Sequence, residues 1–230
     1  MKPAFWARRA HKWIGLVVGV QALLWMISGV YMTVVSLDII HGDHLAHMQE
    51  APLDKMAQRI DPVALTDRYP GITSYRLKRL HGKEVFEIRQ GDRSLLLDAV
   101  TGARISPLDK AAVRSLAMSI YQGDASVRSV EWIIRAPQEV ATRPVPMWAV
   151  HFADRGETTL YFSPDTGALL ARRHSLWRWF DFLWMFHIMD YEERSDVNNN
   201  LLRVSAAIGL CLALSGIWLL FYSFRRRAAA

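Results

Sequence analysis

Cysteine is nearly absent, with Cys211 alone in 230 residues. A disulfide framework is therefore excluded, and any folded domain must rest on a core of ordinary size. Acidic residues are missing from both ends. Residues 1–12 hold Lys2, Arg8, Arg9 and Lys12, and residues 225–230 hold Arg225, Arg226 and Arg227, without one Asp or Glu. Charge of either sign is missing from two runs, the 25 residues Trp13–Leu37 and the 21 residues Val204–Phe224. No phosphate-binding glycine loop, dinucleotide fingerprint or zinc-protease helix occurs. The chain thus offers no flavin or nicotinamide site, and any electron source lies elsewhere.

What is present divides the chain. A hydrocarbon core of about 30 Å needs about 20 apolar residues in a helix, so both charge-free runs are long enough to span. The first is too long for the apolar part of a signal peptide, and "SLDIIHGDH" after it has no small-x-small cleavage site, so an uncleaved anchor is expected. Basic ends place both termini in the cytoplasm. The segment between the spans, residues 38–203, carries all 22 acidic residues and 21 of the 28 basic ones, a formal charge of −1. The net charge of +6 therefore belongs to the ends. It reports membrane topology and gives no support to a nucleic-acid partner.

The outer segment repeats itself. "VFEIRQGDRSLLLDAVTGARI" (Val85–Ile105) aligns without a gap on "VHFADRGETTLYFSPDTGALL" (Val150–Leu170), with six identities in 21 positions. Gly91 and Gly156 are expected to supply the positive φ of a hairpin, and Gly102 and Gly167 that of a second turn. A helical pattern precedes each copy. Over Leu53–Tyr69 its apolar positions are Met56, Ile60, Val63 and Leu65, with Pro62 as a first-turn or kink residue. Over Leu108–Tyr121 they are Ala112, Leu116 and Ile120. Strands fit "ITSYRLKRL" and "VRSVEWIIR", and "PQEVATRPVP" is a loop inserted in the second copy. The expected class is α+β, with two transmembrane helices flanking a domain of two helix/antiparallel-strand repeats. The boundaries are 1–12 basic terminus, 13–37 first span, 38–173 outer domain with repeats 54–106 and 108–173, 174–200 interfacial helix and turn, 201–224 second span, and 225–230 basic tail.

"HKWIGLVVGVQALLWMISG" (His11–Gly29) and "FHIMDY…NLLRVSAAIGLCLALSGIWLL" (Phe186–Leu220) resemble the PepSY-associated transmembrane family. The two repeats look like its PepSY domains. The resemblance implies a bacterial inner-membrane protein with a periplasmic PepSY region. Larger four-span relatives include haem-containing siderophore-iron reductases, and PepSY domains elsewhere act as inhibitory or chaperone-like modules on peptidases.

Two functions of different class follow. One is inner-membrane electron transfer through haem b, assisting reduction of a periplasmic acceptor such as a ferric siderophore. The other is a non-catalytic, membrane-tethered PepSY module that binds or regulates a periplasmic peptidase or transporter. The residues assign no catalytic group. The cofactor candidates are His187, in an aromatic setting at membrane depth, and His11, at the mouth of the first span among basic anchors. For His187 the plain alternative is an imidazole bonded to a carbonyl or to Asp190. His41, His44 and His47, spaced i, i+3, i+6, are secondary candidates for haem or a metal, with a solvated loop as the plain alternative. His11 and His41, 30 residues apart, are separated by roughly 45 Å of helix and cannot share one iron. His187 would pair with the His41–His47 group, or with its symmetry mate in a homodimer of four spans. The partners implied are the lipid bilayer, a second copy or an electron donor, and a periplasmic protein or ferric siderophore.

Overall fold

The computed structural model describes residues 3–48 and 52–227, with side chains for Arg9, 12–48 and 52–217. Its contacts divide into two units, residues 1–36 with 179–230, and residues 37–178.

The first unit holds two long apolar helices, α1 (Pro3–Val34) and α6 (Asn200–Arg227), and most of α5 (Ser175–Ile188). Lys12–Val34 and Asn200–Ile217 are long and apolar enough to cross a bilayer. Their side chains are not core: Val17 is 70 % exposed, Val34 77 % and Leu210 61 %. Such a surface costs roughly 25 cal/mol per Å² in water and nothing comparable in lipid. Asn199 starts α6, its Oδ1 accepting from Leu202 N at 2.8 Å.

The second unit is α+β. Helix α3 (Pro62–Arg68) precedes strands β1 (Ile72–Leu80), β2 (Lys83–Gln90) and β3 (Arg93–Asp98). Helix α4 (Lys110–Ile120) precedes β4 (Val127–Ile133), β5 (Met147–Phe152), β6 (Thr159–Phe162) and β7 (Leu169–Arg173). Each strand group forms an antiparallel meander in sequence order, so β1 and β4 are both edge strands. The helix–strands unit thus occurs twice, the second time with an added strand.

Both helices are shorter than periodicity predicts. Asp61 caps α3 by accepting from Val63 N, with Pro62 in the first turn, so Met56 and Ile60 fall before the helix and Met56 is 88 % exposed. In α4 the buried face is Val113, Leu116, Ala117 and Ile120, while Ala112 faces outward. Phe86, Ile88, Leu95 and Leu97 pack with Leu65 of α3 on one face of the first sheet. Val85 and Leu96, on its other face, join the core that α4 forms with Val150, Phe152, Leu160 and Phe162 of the second sheet. The second sheet's outer face is closed by Val140, from the inserted loop's 3-10 turn Gln138–Val140, against Met147, Ala149 and Tyr161.

The gapless alignment of the two copies does not survive the strand registers. In the first hairpin Gln90 pairs with Arg93 around Gly91-Asp92. In the second, Phe152 N bonds Thr158 O across residues 153–157, a loop three residues longer. The identity of Val85 with Val150 is therefore not structural equivalence. Val85 faces away from its own copy's helix, whereas Val150 faces α4. Gly91, Gly102 and Gly167 have positive φ as expected, but Gly156 does not, and Glu157 adopts φ 49° in its place. Asp154 holds the longer loop, accepting from Thr158 N at 2.7 Å and from Tyr121 Oη at 3.1 Å. Burial, with Asp154 beside it, pushes the Tyr121 phenol up to about 12.

Candidate functional site

His187 lies in the last turn of α5, and its imidazole is fixed from α1. Nδ1 is 2.8 Å from Ser28 Oγ. Ser28 is fully buried, and its Oγ also lies 2.8 Å from Leu24 O and 3.0 Å from Trp25 O. Those carbonyls only accept, so the one hydroxyl proton serves the helix backbone and Oγ is left to accept from Nδ1–H. Nδ1 is thus assigned as the protonated nitrogen, and Nε2 has no hydrogen-bond partner among the described residues. Trp184 stacks on the ring at 6.0 Å between centroids.

The backbone around His187 is clamped as firmly as its ring. The last four carbonyls of a helix have no partner within it, and in an apolar setting each needs one. Gln21 Nε2 donates to Phe186 O at 3.1 Å, Trp25 Nε1 to His187 O at 2.9 Å, and Asn199 Nδ2 to Ile188 O at 2.8 Å. Met189 then turns the chain with φ 55°, the left-handed conformation that usually follows a helix end. It also lines a cavity of about 520 Å³ between α1 and α6, together with Leu16, Val20, Gln21, Trp25, Ser205 and Ile208.

Asp190 is not the partner of His187. Its carboxylate accepts from the backbone N–H of Asp196, Ser195, Glu192 and Glu193, and these bonds hold its pKa below the ordinary value. It organises the polar turn between α5 and α6, where Arg194 also pairs with Asp181.

The other candidates belong to other elements. His11 falls in α1, with its side chain outside the described residues. His41 ends the short helix α2 (Leu37–His41), and Gly42, with φ 72°, stops it there. His41, His44 and His47 therefore do not share a helical face. All three are exposed, and no group of three His, Cys, Asp or Glu side chains able to hold a metal occurs among the described residues. His47 shares a cleft of about 460 Å³ with His81, and His44 sets its ring edge-on to His174, centroids 5.9 Å apart. The segment is structural: Arg172 donates to Ala46 O and Asp43, Ala46 bridges Tyr121, and His174 Nε2 bonds Ile40 O.

The sequence signals for the His187 clamp were thin. Gln21 is one amide in a run without charge, and Ser28 reads as a small packing residue beside Gly29. Their joint role appears only when α1 meets α5.

The sequence model described as the PepSY-associated TM region matches residues 8–230, from the first basic cluster to the last residue. No curated protein matches the chain.

Proposed function

The chain belongs to the PepSY-associated TM region family, and on that premise we propose that this membrane protein carries electrons to an acceptor outside the cytoplasm, using a b-type haem held by His187. The observation that carries the reading is the Ser28–His187 bond. A positioned imidazole whose Nε2 has no partner among the described residues suits a haem ligand, and a hydrogen bond at Nδ1 fixes the ring and tunes its basicity. When bound, haem supplies one-electron redox chemistry. The chain's own residues hold the imidazole, Ser28 through Nδ1 and Trp184 by stacking on the ring. If haem binds, His187 would be one of the residues that hold it, and a symmetry-related histidine of a second chain would be the other, since two chains give the four spans of the larger relatives. His11 would serve a separate haem toward the other membrane face. Ferric siderophore is the acceptor class proposed. Both termini are cytoplasmic and residues from about 40 to about 200 periplasmic, following the basic ends.

The experiment is an optical spectrum of purified protein. A Soret band with reducible α and β bands, lost or shifted in His187→Ala, is expected. An intact haem spectrum with an unchanged midpoint potential in that variant would end the ligand assignment.

A second reading has its own support. The two meanders leave β1 and β4 as open edges, a geometry suited to docking another chain. In that case the protein is a membrane-tethered PepSY module that binds or regulates a periplasmic peptidase or transporter. A colourless protein favours this reading.

A further inference from the structure

Strand β4 is an edge, hydrogen-bonded among the described strands only to β5. Beside it, between β4 and α4, runs a groove of about 490 Å³. Helix α4 lays Val113, Leu116, Ala117 and Ile120 into the core, and exposed Lys110, Ala111 and Arg114 on its flank form one wall. Three basic side chains line the groove, Lys110 and Arg114 from α4 and Arg128 from β4, and among the described residues no acidic one does. None of the three has a hydrogen bond or ion pair with another described residue. This contrasts with Arg59, Lys78, Arg172 and Arg178 of the same unit, each paired with a carboxylate. Arg128 sits where the ladder slips between Val127 and Ser129, so it is the extra residue of a β-bulge, a device that re-aims a side chain. Lys110 occupies the first turn of α4, where the helix dipole disfavours a cation, so helix stability does not account for it.

We propose that this groove binds an extended acidic segment of a partner protein. The segment adds as a strand to β4 and sets its carboxylates against Lys110, Arg114 and Arg128. Two observations select this occupant. A row of backbone N–H and C=O groups on an open edge is satisfied by another chain in extended form. Three unpaired cations and no anion select negative side chains on that chain. An anionic lipid headgroup would meet the cations but has no use for the strand edge. The bulge and the charges would also blunt the edge against self-pairing, and binding separates the two roles. The proposal is independent of haem binding.

The test uses the full chain in nanodiscs of neutral lipid and a fluorescent peptide of alternating Glu and Val. Saturable binding is expected, with a Lys/Val peptide at least about tenfold weaker and the Arg114→Glu/Arg128→Glu variant weakened by about tenfold. Backbone amides of Val130–Ile133 should exchange more slowly when the peptide is present. Equal affinity for both peptides, binding unchanged in the variant, or unprotected β4 amides would each overturn the proposal. So would a result in which the variant loses only attachment to phosphatidylglycerol vesicles, which would identify a lipid as the occupant. If the reversal variant fails to fold, Arg114→Gln/Arg128→Gln is the milder probe, with a loss of about threefold expected. Neither variant should change the optical spectrum, which separates failure here from failure of the haem reading.

Discussion

His174 donates from Nε2 to the carbonyl of Ile40 at 3.1 Å, joining the end of β7 to a helix 134 residues earlier in the chain. The imidazole is 4 % exposed. Burial lowers its pKa from 6.5, opposed by the bonds to Ile40 and Ile39 and aided by nearby His44 and Arg178. The unfolded chain therefore binds this proton at a higher pH than the folded one. The stability that His174 contributes is full above about pH 6.5 and is lost as pH falls below it. The melting temperature of the second unit should fall on acidification from pH 7 to pH 5. In His174→Gln that slope should flatten, with a loss at pH 7 of about 1–3 kcal/mol for the disturbed buried bond. An equally steep slope in the variant would assign the acid sensitivity to other groups.

Ser28→Ala should leave His187 Nδ1–H without an acceptor in a buried place, at a cost of about 1–3 kcal/mol. Thermal unfolding in detergent reads the loss. Ser28→Thr, which keeps the hydroxyl, should recover much of it. If haem is bound, Ser28→Ala should also move the midpoint potential while His174→Gln leaves it alone. A serine variant indistinguishable from the parent in both measurements would refute the clamp.

The two glycines of the second copy should respond oppositely. Gly167 has φ 64°, and a Cβ there would lie 2.9 Å from Leu80 Cδ2. Gly167→Ala should cost at least about 1–2 kcal/mol from backbone handedness alone. Gly156 has no positive φ, and its Cβ would find its nearest atom at an ordinary 3.5 Å. Gly156→Ala should be neutral or stabilising, by up to about 1 kcal/mol. Urea denaturation of both variants checks the contrast.

A reporter active only in the periplasm should work when inserted at Gly91-Asp92 and fail when fused after Arg227. Activity at the second site would reverse the orientation read from the basic ends.

Much of the fold was legible because its punctuation is chemical. "ITSYRLKRL" matches β1 in full, and the Thr-Gly-Ala turns fall where left-handed glycine is required. Two things were hidden. The three-residue lengthening of the second hairpin leaves a plausible gapless match, since both strands still alternate, and the error falls on the face that Val85 and Val150 present. The shortness of α3 came from Asp61-Pro62, a start signal that outranks the weak periodicity before it. At the candidate site His187 stood out as a lone imidazole among aromatics. Its partner did not, because a serine 159 residues earlier leaves no trace in spacing.

The clamp on the end of α5 also has a history in time. Gln21 and Trp25 leave the ribosome first, and Phe186 follows 165 residues after Gln21. At ordinary synthesis rates the interval is about 8 to 30 s. For that period α1 holds an amide and an indole N–H with no protein partner from α5, so the first span is inserted as an unfinished surface. Gln21→Leu should make that early insertion easier and the finished assembly weaker. The order of synthesis thus sets a requirement on α1 that the completed structure conceals.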